Sequence, residues 1–323
     1  MNAVLDPIPG RALPISARAP GKCIVFGEHA VVRGAPELVF AIDLYTQVIV
    51  RGSDRTQLNS EPEPAAWNEY FRAAMADLWA KGPAIDVRTV SRIPRAAGLG
   101  SSAAFAASIA ASLSAIHGGI GRAELAQKSF DIERGAQGVG SPGDTTTVVS
   151  GGYVAVNGGP GDPIWTIHGP QHQWEVRRVP DPGWVWVVAY TGIPRSTGDA
   201  VRSVGVRLDR PDGPELLAEF TRVATEGIRA VANGDRSAVA SLMARNQQLL
   251  REVGVSHPRI EALIEASRPA AEAAKLTGAG AGGSIVALPV PGREVELVRR
   301  LARAGGVPFV VRPATHGVTL VEP

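Results

Sequence analysis

The stretch Arg95–Ala104, RAAGLGSSAA, is a glycine-rich turn that leads into an alanine-rich segment. Gly98 and Gly100 let the backbone approach a ligand closely and adopt dihedral angles that other residues avoid. Ser101 and Ser102 stand where the N-cap of the following helix is expected. A helix start offers unpaired N–H groups and the positive end of its dipole, which suits a phosphate group. A plain, well-capped strand-to-helix turn would read the same way, so this stretch alone leaves both interpretations open.

The composition is that of a globular protein with room for two domains. The chain has 323 residues, of which 45% are hydrophobic and 20% charged. Its net charge of +2 gives no reason to expect nucleic acid or an acidic membrane surface as a partner. Cys23 is the single cysteine, which excludes an intramolecular disulfide framework and fits a reducing cytosol. Without an apolar run of ~18 residues or a signal pattern, the sequence predicts a cytoplasmic protein without a membrane partner.

Hydrophobic periodicity gives the first half of the chain its expected elements. Lys22–Phe26 and Ile85–Val90 read as strands, and Ser101–His117 and Arg122–Arg134 read as helices. The first of these helices is expected to have one apolar face, formed by Phe105, Ile109, Leu113 and Ile116. The glycine-rich stretch Gly135–Gly152 reads as a loop with Asp144 at its centre, although Asp144 could also cap a short helix starting at Thr145.

A change of domain is expected near Val179–Gly183, where prolines and polar residues cluster. The helices and well-separated strands that follow indicate an α+β second domain. Phe309–Arg312 and Gly317–Val321 are expected to close its sheet.

The polar residues in and near the glycine-rich stretches form a set that suits phosphoryl transfer. The sequence lacks the GxxxxGK[ST], HRD, DFG, GxSxG, HExxH and CxxC patterns of other common enzyme classes. What remains is the glycine turn with its serines, Lys22, Glu133, Asp144 and a third glycine-rich stretch at Gly278–Gly283. Phosphoryl transfer needs an anion cradle, hard oxygen ligands for magnesium, a base and a cation. Taken singly, Glu133 could equally be a solvated glutamate at a helix end.

Three ordered stretches resemble the three motifs of the GHMP kinase superfamily. They are Ala19–Val32 (APGKCIVFGEHAVV), Pro94–Ala104 and Lys275–Ser284 (KLTGAGAGGS). The GEHAVV segment is most similar to the mevalonate kinases, and SPGDTTTVVSGG at Ser141–Gly152 is similar to their archaeal type. The resemblance implies a two-domain α+β GHMP kinase fold. Residues 1–180 would form a ribosomal-protein-like α/β domain with the phosphate loop and the catalytic Asp, and residues 181–323 a ferredoxin-like α+β domain.

The resemblance also implies the reaction and the role of each site residue. ATP and Mg²⁺ would serve to phosphorylate the primary hydroxyl of mevalonate, giving 5-phosphomevalonate. Asp144 would accept the hydroxyl proton, and Lys22 would favour the charged carboxylate and the developing alkoxide. Ser102 and Glu133 would bind magnesium. The remaining assignments are Glu28, His29 and Thr197 for the substrate, and Gly98, Leu99, Gly100, Ser101, Ser102, Ala103 and Gly280 for ATP. A homodimer is compatible with the resemblance.

Three residues depart from the family pattern. Glu37 stands where a small apolar residue is usual, Arg33 where tyrosine is frequent, and Ala281 where glycine is usual. The first two are expected near the acceptor, so they bear on the identity of the acceptor rather than on the ATP chemistry. A kinase for a sugar or for phosphomevalonate, a decarboxylase of the mevalonate route, and a nucleotide-binding protein without catalysis stay open as alternatives.

Overall fold

The computed structural model describes residues 6, 8–62, 65, 68–138, 140–170, 172–194 and 197–323, without the side chains of Thr197 and Asp199. The strands within these residues are β1 (Ile8–Pro9), β2 (Ile15–Phe26), β3 (Glu37–Gly52), β4 (Gln57–Leu58), β5 (Ile85–Ser91), β6 (Gly119–Ile120), β7 (Tyr153–Val156), β8 (Asp162–His168), β9 (Gln173–Val179), β10 (Trp186–Tyr190), β11 (Ala271–Thr277), β12 (Ser284–Pro289), β13 (Val307–Val311) and β14 (Thr319–Val321). The helices are α1 (Glu69–Leu78), α2 (Ser101–Ile116), α3 (Arg122–Gln137), α4 (Gly143–Ser150), α5 (Thr197–Leu208), α6 (Gly213–Ala232), α7 (Arg236–Glu252), α8 (Pro258–Ser267) and α9 (Glu294–Arg303), with a short 3-10 helix, η1, at Ala30–Arg33.

The first sheet is built around β2 and β3, two long antiparallel strands on either side of η1. Among the described strands its order is β14-β2-β3-β7-β9-β8, and β5 pairs with the far half of β3. Most of β2 and the first half of β3 are buried, because helices cover the sheet. This layer of helices on a sheet is the predicted architecture of the first half.

Helix α2 runs through the centre of this layer and is buried on all sides. It contacts β2, β3, α1, α3 and α4, and every residue from Ala103 to Ala115 is buried. The expectation of a single apolar face is therefore wrong. Small alanine side chains let neighbouring elements approach from every direction, and a helix that is apolar all round belongs in a core.

The glycine-rich stretch that was predicted to be a loop contains regular structure. Helix α3 continues to Gln137, and α4 begins at Gly143. Asp144 consequently lies in the first turn of a helix, where the helix dipole favours a carboxylate. The loop expectation followed the glycines and underestimated the run of threonine and valine that α4 buries.

The second sheet confirms the expected α+β half of the chain. Its strands are antiparallel in the order β11-β12-β10-β13, and helices α7, α8 and α9 pack on them. The expectation for Gly317–Val321 is corrected, because β14 pairs with β2 of the first sheet. The chain thus returns to its first half at the end. No helix in the described part is long and apolar enough to cross a membrane.

Candidate active site

The glycine turn lies against β2 and opens directly into α2. Gly98 and Gly100 both have positive φ, at 83° and 77°, and Gly100 is the N-cap. The predicted cap by the serines is wrong: Ser101 and Ser102 are the first two helical residues, and no side chain caps the helix. The first helical bond joins Ala104 N–H to Gly100 C=O, so the preceding amides have no acceptor within the helix. These amides are the expected anion cradle.

Lys22 is held beside this turn by the backbone. The Lys22 N–H donates to the Leu99 carbonyl at 3.0 Å, and a Cβ at Gly100 would come within 2.6 Å of the Lys22 side chain. Only a residue without a side chain allows this approach. The Lys22 ammonium, 1% exposed, contacts Oδ1 of Asp144 at 2.8 Å, while Asp144 is 28% exposed. The predicted base and its cation therefore form an ion pair that is open to the cleft on the carboxylate side.

The two predicted magnesium ligands also meet in the structure. Ser102 Oγ donates to Glu133 Oε1 at 2.9 Å, and the Gln137 amide donates to the same oxygen at 3.2 Å. Burial, followed by the charge of Asp144, raises the pKa of Glu133 to about 7. A buried carboxylate beside a hydroxyl offers hard oxygen atoms. A cation bound nearby would favour the charged carboxylate and so lower its raised pKa. The donor set thus fits Mg²⁺, which takes one or two protein oxygens in addition to phosphates.

Glu28 and His29 lie on the acceptor side, in the turn after β2. Glu28 is buried and forms an ion pair with Lys275 of β11, and its second oxygen, Oε2, has no hydrogen-bond partner among the described residues. Burial raises the pKa of Glu28 above its ordinary value, although the charge of Lys275 lowers it. His29 has a φ of 64° and its Nε2 lies 3.0 Å from the Ala279 carbonyl. Both residues are thereby tied to the third motif, Lys275–Ser284.

The site consists of two pockets that meet at Asp144. One, of about 720 Å³, is lined by the glycine turn, Ser102 and Asp144. The other, of about 80 Å³, is lined by Lys22, Glu28, His29 and Asp144. The larger pocket is suited to a nucleotide and the smaller to a small acceptor. Asp144 stands where a hydroxyl in one would face a phosphate in the other.

The third glycine-rich stretch closes the site from the second half of the chain. Gly278 and Ala279 line the smaller pocket, and Ser284 Oγ donates to the Ala97 carbonyl at 2.8 Å. Gly280 has a φ of 76° and packs on the Val255 carbonyl. It is absent from the described lining of both pockets, so its contact with ATP remains a prediction.

The structure describes some of the other predicted contact residues fully and one of them only in part. The backbone of Thr197 begins α5, but its side chain lies outside the described residues, so its substrate contact also remains a prediction. Leu99 and Ala103 are buried and hold the turn in place. Ala281 adopts a φ of 57°, so alanine occupies a backbone conformation that favours glycine.

Sequence reasoning missed several residues around the site. Lys275 was not assigned a role, although a lysine inside an apolar strand in a chain with four lysines was a usable signal. Arg134 lines the acceptor pocket one residue after Glu133. The nucleotide pocket is also lined by residues that no motif marks: Asn59, Asn68, Tyr70, Thr89 and Arg202.

Of the two departures on the acceptor side, only Glu37 reaches the pocket. Arg33 is exposed and contacts Asp209 and the Gly205 carbonyl of α5. Glu37 is 2% exposed, lines the acceptor pocket and accepts a hydrogen bond from Ser141 at 3.1 Å.

Comparison with known proteins agrees with this geometry. The model of the GHMP kinase N-terminal domain matches residues 66–152, and that of the GHMP kinase C-terminal domain matches residues 228–307. The chain is 31% identical to the mevalonate kinase of Pyrococcus horikoshii, over 95% of this chain and 98% of the relative. It is 32% identical to the mevalonate kinase of Aeropyrum pernix, with the same coverage.

A solved structure of similar fold extends over nearly the whole chain. The crystal structure of L. major mevalonate kinase in complex with R-mevalonate matches with a TM-score of 0.76 and 22% identity, covering 98% of each chain. At 22% identity this structural similarity supports the fold alone. The two relatives named above are also similar in sequence, at 31% and 32% identity. With the paired Lys22 and Asp144 between a nucleotide-sized and a smaller pocket, these matches show that the chain belongs to the mevalonate kinase family of GHMP kinases.

Proposed function

We propose that the protein transfers the γ-phosphoryl group of ATP to the primary hydroxyl of mevalonate, giving ADP and 5-phosphomevalonate. The observation that carries this proposal is the position of Asp144. It is paired with Lys22 at 2.8 Å and lines both pockets. A hydroxyl bound in the smaller pocket can lose its proton to Asp144 while its oxygen faces the phosphate in the larger one.

The residues of the larger pocket would bind and orient the nucleotide. The amides at the start of α2 would hold the phosphates, and the helix dipole would favour their negative charge. The motif-free residues of that pocket, Asn59, Asn68 and Thr89, lie where the adenosine part can be bound. Holding two reactants in one geometry accounts for most of the rate in a transfer of this kind.

Ser102 and Glu133 would hold the magnesium ion. When bound, Mg²⁺ would neutralise the charge that develops on the phosphate oxygens. Gln137, which donates to Glu133 and to the Tyr70 hydroxyl at 2.8 Å, fixes the direction of the carboxylate. The chain's own part is to keep an otherwise unfavourable buried carboxylate in place beside the phosphate loop.

Lys22 would stabilise both states of the base. Its ammonium favours the Asp144 carboxylate before transfer, and it lies close enough to favour the oxygen as the proton leaves. Because Lys22 is almost fully buried, water screens this interaction weakly.

Arg134 is the proposed partner of the mevalonate carboxylate. Two side chains of Lys or Arg stand in the described lining of the acceptor pocket, Lys22 and Arg134, and Lys22 is already paired with Asp144. Arg134 is partly exposed and lies 3.6 Å from Asp131, so it can turn to a bound anion at low cost. Within the described lining of this pocket, a second strong anion on the acceptor would have no further Lys or Arg partner, which disfavours phosphomevalonate.

A panel of acceptors tests the proposal. The purified protein is incubated with ATP and Mg²⁺ and with mevalonate, 5-phosphomevalonate, galactose or homoserine, and ADP and the phosphorus-31 spectrum are followed. We expect 5-phosphomevalonate from mevalonate alone. Turnover of another acceptor would replace the assigned substrate, and release of carbon dioxide would indicate the decarboxylase. A cytoplasmic location and a homodimer stay predictions of the sequence.

A further inference from the structure

Glu37 is a buried carboxyl group in the acceptor pocket that the proposed reaction does not use. It is the first residue of β3 and lies between the turn after β2 and the start of α4. A Cβ at Gly27 would come within 2.6 Å of Glu37 Cα, and a Cβ at Gly143 would overlap Glu37 Oε2. The carboxyl group therefore occupies space that Gly143 leaves open, one residue before Asp144.

The charges around Glu37 do not favour an ionised carboxylate. The charged groups with the largest effect on Glu37 are Lys22 on β2, Glu28 in the following turn and Asp144 on α4. The other titratable side chains in the described lining of the same pocket are His29, Glu133 and Arg134. Lys22 already pairs with Asp144, and Glu28 already pairs with Lys275. Among the described residues, Glu37 has no ion-pair partner of its own, and it accepts a hydrogen bond from the neutral Ser141 hydroxyl.

Burial and the charge of Asp144 raise the pKa of Glu37 to about 8, while Lys22 and Ser141 lower it by less. At pH 7 the group is therefore mostly neutral. Since Ser141 donates to Oε2, the proton can reside on the other oxygen. Ionisation would add a negative charge beside Asp144, in the pocket that would take the mevalonate anion.

We propose that Glu37 is a specificity-determining residue, which admits an anionic acceptor as a neutral acid and repels it once ionised. The proposal rests on mevalonate as the acceptor. It makes acceptor binding depend on one proton, whereas ATP binds in the other pocket, whose described lining does not include Glu37.

The test compares KM for mevalonate and for ATP at pH 7 and pH 9 in wild type and in Glu37→Gln. In wild type, KM for mevalonate should rise about tenfold, because about a tenth of a group with a pKa of 8 is neutral at pH 9. In Glu37→Gln, KM for mevalonate at pH 9 divided by KM for mevalonate at pH 7 should be near one, whatever the absolute size of the two values. KM for ATP should not follow this pattern in either protein.

Glu175→Gln is the matched control, because Glu175 is exposed on β9 and pairs with Arg177 away from both pockets. It should keep the wild-type ratio. Glu37→Ala, with the small residue usual in the family, should lose the pH dependence as glutamine does and serves if Glu37→Gln does not fold. An equal rise in wild type and in both Glu37 variants, or no rise in wild type, would overturn the proposal.

A direct titration separates failure of this inference from failure of the assigned reaction. Carbon-13 spectra of the protein labelled in its glutamate carboxyl groups are recorded against pH without substrate, and Glu37 is the signal lost in Glu37→Gln. A midpoint well above the ordinary glutamate pKa of about 4.5 supports the neutral acid. An ordinary midpoint would overturn it, whereas absence of ADP with mevalonate at pH 7 would overturn the assigned reaction.

Discussion

Replacing Lys275 with methionine removes one half of a buried ion pair that joins the two halves of the chain. Lys275 and Glu28 are 0% and 1% exposed, and they lie 247 residues apart in sequence. Methionine keeps most of the aliphatic stem, so the main loss is the ammonium group. The Glu28 carboxyl then stays buried without its cation, and one of its oxygens already has no partner among the described residues. Removing one partner of such a pair costs about 3–5 kcal/mol.

Urea unfolding at pH 7, followed by tryptophan fluorescence and circular dichroism, measures this loss. Lys128→Met is the control, since the Lys128 ammonium lies 3.5 Å from Asp77 in a partly exposed pair and should contribute less than about 1 kcal/mol. The double variant Glu28→Gln/Lys275→Met should recover most of the loss, because it no longer buries an unpaired charge. The reasoning would be refuted if Lys275→Met cost no more than Lys128→Met, or if the double variant were less stable than the single one.

Three further predictions concern the site and its charges. Glu133→Gln should raise the Mg²⁺ concentration for half-maximal rate by about 10–100-fold, and an unchanged magnesium curve would contradict its role. Arg134→Ala should raise KM for mevalonate about tenfold, as expected for loss of a hydrogen bond to a charged group, and leave KM for ATP within about twofold; equal effects on both would argue against the carboxylate contact. Glu37 loses its proton near pH 4.5 in the unfolded chain but only near pH 8 in the folded protein. Between these two values the folded protein holds one more proton, so the free energy of unfolding of wild type should fall relative to Glu37→Gln by about 1.4 kcal/mol per pH unit. Above about pH 8 it should fall no further. Chemical denaturation at a series of pH values checks this, and a difference that does not change with pH would contradict it.

The parts of the site that short motifs encode were predictable. Lys22, Ser102 and Glu133 each lie in a stretch whose local pattern indicates its element, and the structure brings the four motif residues together in the expected pairs, Lys22 with Asp144 and Ser102 with Glu133. The motif marked Asp144 as well, although its stretch is a helix rather than the expected loop. Local sequence also indicated helices and strands in both halves. These features are determined by residues that are neighbours in sequence, so they can be recognised from the sequence pattern.

The contacts that were missed depend on residues far apart in sequence. Nothing near Lys275 shows that it pairs with Glu28, and nothing near Thr319–Val321 shows that this strand joins β2 rather than the second sheet. The neutral state of Glu37 likewise follows from burial and from Asp144, which only the fold brings together. The capping expectation at Ser101 failed for a different reason, because a glycine in the left-handed conformation can begin a helix without a side-chain cap.

The rate of ADP formation from ATP and mevalonate, compared between wild type and Asp144→Asn, tests the central claim most directly. Asparagine keeps the size of the side chain but cannot accept the hydroxyl proton as a carboxylate does. The account predicts a fall in kcat of about 10²–10⁴-fold, while the Kd for ATP, measured by calorimetry, changes by no more than about threefold. A variant that binds ATP and phosphorylates mevalonate at the wild-type rate would contradict the assignment of Asp144 as the base.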